Sequence, residues 1–210
     1  MARRTILLSV DGTLLVEIDS PIRAYAAMRE GREEAPLPVP DDADVTADGR
    51  FFFRPDVHRA LREFVADGVD VVWNTGRLID PRALQALAAE IGLEDAVRFP
   101  DAAELPAPPT DDRVDTGPNV MWEHWKVRAL VERARTLPEG DEVVVVDPIL
   151  DLEGSRLPDG LARRTKRPDA AGIGGIHVPD TWGLDLWGVE ILREWVAGGA
   201  VPRVWQYALR

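Results

Sequence analysis

Three short apolar runs in the sequence each end in residues able to do chemistry. Thr5–Val10 (TILLSV) runs into Asp11-Gly12 and carries Ser9, Asp11 and Thr13 at its end. Val69–Trp73 (VDVVW) leads into Asn74, Thr75 and Arg77. Glu142–Val146 (EVVVV) leads into Asp147, with Asp151 four residues further on, and Lys126 opens the segment before it. Acids, hydroxyls and a cation brought to one place suit a hard divalent cation and a phosphate. Mg²⁺ takes oxygen ligands, usually one or two carboxylates, and keeps several waters. Asp11 lies two residues from Ser9, so strand alternation turns both to the same side. Asp11 is therefore placed to take a proton from Ser9 or from a water. A neutral serine hydroxyl is a poor nucleophile unless a base or metal activates it.

Each of these residues also has a plain structural reading. Asp11-Gly12-Thr13 could be a strand-to-turn cap, Thr75 the cap of the next loop, Lys126 a solvated first-turn lysine and Asp151 an ordinary loop acid. His58, His124 and His177 share no ligand spacing, which argues against a zinc site. The seven tryptophans read mainly as core, with Trp122 and Trp125 beside Lys126 the two nearest the chemistry.

The elements that must position these groups alternate. Apolar runs of this kind suit strands covered on both faces, and amphipathic segments separate them, the βαβ pattern of a parallel sheet. Ala96–Phe99 is a weaker strand candidate and Leu161–Thr165 a further one. Pro55 opens a helix with Val57, Leu61, Phe64 and Val65 on one face, stopped by Gly68. Asp80-Pro81 reads as an N-cap and first turn, followed by Leu84, Leu87, Ala88 and Ile91. Lys126–Arg135 and Asp185–Val196 also have helical spacing, the latter through Leu186, Val189, Leu192 and Val196 with Trp195 beside them. In open parallel sheets ligands bind at the carboxyl ends of strands, where the strand order reverses. Apart from Lys126, which opens a helical segment, the chemical residues fall at or just beyond such ends.

In order and spacing these segments resemble the four motifs of the haloacid dehalogenase-like (HAD-like) superfamily. Ser9-Val10-Asp11-Gly12-Thr13-Leu14 resembles its Asp-x-Asp-Gly-Thr motif, and Val71–Arg77 resembles the strand ending in Ser or Thr. Lys126 resembles the third-motif lysine, and Asp147 with Asp151 the paired acids of the fourth. Trp125-Lys126, and Gly183-Leu184 followed by Trp195, are similar to small actinobacterial members. The resemblance covers roughly residues 5–200 apart from 17–53. It implies an α/β, Rossmannoid fold with a central parallel sheet, helices on both faces and a small flap or cap. It implies catalytic roles for Ser9, Asp11, Thr75 and Lys126, with Asp11 as acid/base. Thr13, Asn74, Arg77 and Lys126 would bind phosphate or substrate, and Asp11, Asp147 and Asp151 would hold Mg²⁺. The departure is Ser9, which stands where the family has its nucleophilic, metal-binding aspartate. Loss of that carboxylate predicts weaker Mg²⁺ binding and little turnover.

Bulk properties narrow the class. A chain of 210 residues holds one α/β domain with a small insertion. Residues 17–53, with four prolines, are too long for a plain loop and read as the flap or cap; residues 100–119 read as an extended surface connection. There are no cysteines, which excludes disulfides and thiolate chemistry. A net charge of -12 disfavours a nucleic-acid partner. The basic group Arg163, Arg164, Lys166 and Arg167 reads as a solvated strand end or a local anion site. No apolar run reaches the ~20 residues of a membrane span, and the cytoplasm is the expected location. The expected ligand is a small phosphorylated molecule, in a hydrolase with altered chemistry. The alternatives are a pseudophosphatase acting as a binding module, or a subunit whose acidic flap docks a basic protein.

Overall fold

A computed structural model describes residues 3–101, 137–148 and 172–204. Elements are numbered in chain order among these. β1 (Arg4–Leu8) is followed by β2 (Val16–Glu17), α1 (Pro21–Arg29), β3 (Asp44–Val45) and β4 (Phe51–Phe53). Next come α2 (Pro55–Ala66), β5 (Asp70–Trp73), a 3₁₀ turn (Gly76–Ile79) and α3 (Pro81–Glu90). β6 (Glu142–Asp147), β7 (Ile173–His177), α4 (Leu186–Val196) and β8 (Arg203–Val204) complete the set.

The main sheet has the order β5-β1-β6-β7-β8 with every neighbouring pair parallel. The Ala96–Phe99 strand expectation reduces to one parallel bridge, Val72 to Arg98, on the outer edge of β5. Counted as a third strand, it gives the order 3-2-1-4-5-6, a strand order compatible with a Rossmann-like fold. The direction of winding reverses between β1 and β6.

Valines and isoleucines populate these strands because branched side chains pack well on a pleated surface. Ile6, Leu8, Val71, Trp73, Val144 and Val146 form one face and join a single core with Leu61 and Phe64 of α2, Leu84 of α3 and Leu192 and Trp195 of α4. The described helices α2, α3 and α4 thus share that face. The opposite face, with Leu7, Val72, Val143 and Val145, is buried as well. The predicted Leu161–Thr165 strand, the Lys126–Arg135 helix and nearly all of the 100–119 connection lie outside the described residues.

Two helix starts follow the sequence reading. Asp80 caps α3 by accepting from Ala83 N, and Asp185 caps α4 by accepting from Gly188 N. The α4 face needs correction. The structure buries Gly188, Val189, Leu192 and Trp195 and leaves Leu186 exposed. Trp195 wins the inward position because its indole N–H reaches Glu142 at 2.8 Å while its ring lies on the core. Among the described residues no helix is long and apolar enough to cross a membrane.

Residues 16–53 fold on themselves. β2, β4 and β3 form a small antiparallel sheet, and α1 lies between β2 and β3 in sequence. α1 has little amphipathic signal, exposing Tyr25 and Met28 and burying Ala27, so its sequence does not announce a helix. Arg54, where the chain leaves this unit for α2, is almost fully buried. Its Nε donates to Asp42 Oδ2 at 3.0 Å, its Nη1 to the Trp182 carbonyl at 2.6 Å, and its guanidinium lies over the Phe52 and Trp182 rings.

Two ionisable groups make the fold pH-dependent. His58 of α2 is buried against Phe53, with Nδ1 2.9 Å from the Ile91 carbonyl. Burial lowers its pKa to about 4. At Asp70 burial pushes the carboxyl up, but hydrogen bonds from Arg98 and Arg3 outweigh it and hold the group below its ordinary value. His58 stays neutral in the folded state while the unfolded chain takes up a proton near pH 6.5. Folding stability should therefore fall as pH drops from about 6.5 to 4, by about 3 kcal/mol from His58. The Asp70 contribution persists to about pH 4 and is lost below it, as the folded-state carboxyl protonates. Urea titrations from pH 4 to 7 check this, and His58→Gln should flatten the upper part of the profile.

Candidate active site at the strand ends

The ladder fixes the heights of the site residues. Leu8 pairs with Trp73 on one side and Val146 on the other. One step further on, the Ser9 amide donates to the Val146 carbonyl at 3.1 Å and the Asn74 amide to the Leu8 carbonyl at 2.8 Å. Ser9, Asn74 and Asp147 therefore stand level at the ends of β1, β5 and β6, beside the reversal point. All three are at least 98% buried. Strand alternation gives them the side of Leu7 and Val145, away from α2, α3 and α4.

After Ser9 the chain turns sharply. The amides of Thr13, Leu14 and Leu15 all point to the Val10 carbonyl, at 3.2, 2.9 and 3.0 Å. Gly12 has φ +71°, and a Cβ there would lie 2.9 Å from Asp180 Cβ and 3.1 Å from the Pro148 ring. Glycine lets the turn adopt this conformation and lets the loop after β7 close against it. The Leu184 amide donates to the Thr13 carbonyl at 2.7 Å, holding that loop in place.

Asp11 leaves this turn toward solvent and meets Arg77. The guanidinium forks onto the carboxylate, Nη2 to Oδ1 at 2.6 Å and Nε to Oδ1 and Oδ2 at 3.0 and 3.1 Å. Arg77 also stacks on Phe51 of β4, 5.3 Å from the ring centre, which brings the inserted unit to the edge of the site. Thr75 fulfils the capping reading: its Oγ1 accepts from the Arg77 amide at 3.3 Å and starts the 3₁₀ turn that presents Arg77. The residue read as acid/base and a residue read as phosphate-binding are thus each other's partner.

Other polar atoms here lack partners. Thr13 Oγ1, Asn74 Oδ1 and His177 Nδ1 are buried without a hydrogen bond. Buried polar groups are normally satisfied, so such atoms mark places where water or a ligand completes the structure. Sequence reasoning missed His177. Asp147 pairs with His177 in the β6–β7 ladder, so the histidine extends the row to a fourth strand. Its signal was the one used for the other strands, a polar residue ending an apolar run. Gly174 and Gly175 masked that run. Gly174 is required because a Cβ would fall 2.2 Å from the Pro202 carbonyl where the chain approaches β8.

Lys126, Asp151, Trp122, Trp125 and the 163–167 basic group lie outside the described residues. Among the described residues no three His, Asp or Glu side chains gather closely enough to hold a metal. No protein-family model matches the chain, and neither a curated protein nor a solved structure matches it.

The Asp11–Arg77 fork is half open to water, with side-chain exposures of 57% and 33%. Partly solvated pairs contribute little to stability. A double-mutant cycle with Asp11→Asn and Arg77→Gln should give a coupling under about 1 kcal/mol by urea denaturation. A coupling of about 3 kcal/mol or more would make the pair a structural clamp.

Proposed function

We propose that the chain is a HAD-like protein of the phosphohydrolase type that binds a small phosphorylated molecule and turns it over poorly. The observation that carries this reading is the row Asn74–Ser9–Asp147 at the point where the strand order of the parallel sheet reverses. That is where such sheets bind ligands. Residues 17–53 would then be the cap, with Phe51 at its contact with the site.

The residues divide the work by their chemistry. Asn74, Thr75 and Thr13 line the row with amide and hydroxyl groups suited to phosphoryl oxygens. Arg77 offers a planar fork that suits phosphate as well as it suits Asp11. Lys126 would add a cation. The fold family implies Mg²⁺, which when bound would neutralise phosphoryl charge. The fit is partial: Asp147 is a buried carboxylate at the strand end, and Asp151 would be its companion. Asp11 is turned away, both oxygens engaged by Arg77. The set accords with weak Mg²⁺ binding.

Ser9 limits the chemistry. An acyl-phosphate forms only on a carboxylate, so the serine must attack as an alkoxide or leave the attack to water. Asp11 can accept a proton for either only after Arg77 releases it, and an incoming phosphate competes for that guanidinium. Loss of a nucleophile commonly costs several powers of ten in rate. The Asp11–Arg77 fork also favours a second reading, a pseudophosphatase that binds its ligand or a protein partner without turnover. A small-molecule ligand, no nucleic acid and a cytoplasmic setting belong to both readings.

Hydrolysis of p-nitrophenyl phosphate with Mg²⁺ separates them. Ser9→Asp should raise kcat/KM by at least about 100-fold over a barely active parent. Robust parental activity abolished by Ser9→Ala would make Ser9 a working nucleophile. Two inert forms that still bind phosphate would establish the binding-module reading. Two inert forms that bind neither phosphate nor Mg²⁺ would reject a phosphoester site altogether.

A further inference from the structure

We infer that His177 is a specificity-determining residue that accepts or donates a hydrogen bond to a hydroxyl of the ligand. The inference rests on the phosphoester reading above and adds a residue and a ligand feature to it.

The ladder places His177 level with Asp147, and Asp147 level with Ser9. Adjacent strands lie about 4.8 Å apart, so His177 stands roughly 10 Å from Ser9 along the row. That is too far to touch a phosphoryl group centred on Ser9. It is well placed for the rest of the same molecule. Allowing about 3 Å for a hydrogen bond, the ring reaches an atom roughly 6–7 Å from phosphorus. In an extended phosphoester this is the third-carbon hydroxyl.

The ring is prepared for such a contact. His177 is half-buried, yet its Nδ1 is fully buried and has no hydrogen-bond partner. An imidazole nitrogen left so loses a hydrogen bond it would make in water, which a bound ligand can restore. Asn74 Oδ1 is in the same condition at the opposite end of the row. Among the described residues the row thus carries unsatisfied groups at Asn74 and at His177, a pattern suited to a ligand lying along the strand ends rather than a compact anion at one point. Among the described residues His177 is the last member of the row, since β8 is described only as far as Val204, opposite Ile176. Apolar companions such as Val178 and Ile176 surround the histidine in sequence, so it is the polar group that β7 brings to this edge.

The test uses three probes that share a phosphate: inorganic phosphate, n-propyl phosphate and glycerol 3-phosphate. Binding to the parent and to His177→Ala, His177→Asn and His177→Gln is measured by calorimetry, with circular dichroism confirming that each is folded. The parent should bind glycerol 3-phosphate roughly ten-fold more tightly than n-propyl phosphate. His177→Ala should abolish that preference while leaving inorganic phosphate unchanged. Asparagine places an amide nitrogen close to the position of Nδ1 and should keep most of the preference. Glutamine places it one bond farther out and should lose it, which serves if the alanine variant does not fold. Phosphate binding with no preference in the parent, or a preference that survives both Ala and Gln, overturns the role of His177 alone. So does an equal weakening of all three probes, the mark of a structural histidine. Failure of every folded form to bind any of the probes overturns the phosphoester reading and this inference with it.

Discussion

Hydrogen bonding on both edges of β1 is the constraint from which the site follows. A parallel strand flanked by β5 and β6 cannot slip against either without moving its alternate side chains to the wrong face. Its register sets Leu8 against Trp73 and Val146, and one residue later that same register sets Ser9 level with Asn74 and Asp147. The β6–β7 ladder carries the height across to His177. The row is therefore a product of core packing. Ile6, Leu8, Val144 and Val146 hold the strands in place, and the polar residues take their positions from where the apolar ones stop.

The turn after β1 does the opposite work. It takes Asp11 out of the buried row and hands it to Arg77. Three amides converging on the Val10 carbonyl, and a glycine too close to Asp180 to bear a side chain, leave the backbone little freedom there. The buried members of the site are thus separated from its exposed ion pair. The buried members suit selective hydrogen bonding and the ion pair suits exchange with an incoming anion.

Much of this could be read from the sequence, and the exceptions share a cause. β1, β5 and β6 announced themselves as short continuous apolar runs, and α2 and α3 because their apolar residues repeat at the helical period. So did the residues ending those strands. β7 did not, because the packing that makes it a strand demands glycine at Gly174, and glycine carries no periodic signal. α1 stayed hidden because it exposes most of its apolar side chains. On α4 only Leu186 departs from the predicted inward face: it is exposed, while Trp195 is buried with its indole N–H on Glu142 and Val196 packs partly buried against the core. Pairings were the least accessible. Types and spacing brought Asp11 and Arg77 to one site, but only the three-dimensional arrangement makes them partners.

Arg54 gives the inserted unit a mechanical character. Its guanidinium sits at the junction between that unit and the body, with Asp42 on one side and the Trp182 carbonyl on the other. Swinging the insertion away would strip a buried cation of one of its two partners and of one of its two aromatic faces. A bolt of this kind resists the hinge motion by which a loose lid admits and expels ligands. The insertion would then already hold its place beside the strand ends, and association with any ligand there would lose little chain entropy to ordering it. Selectivity would lie in a fixed contact, Phe51 against Arg77, rather than in the closing of a lid.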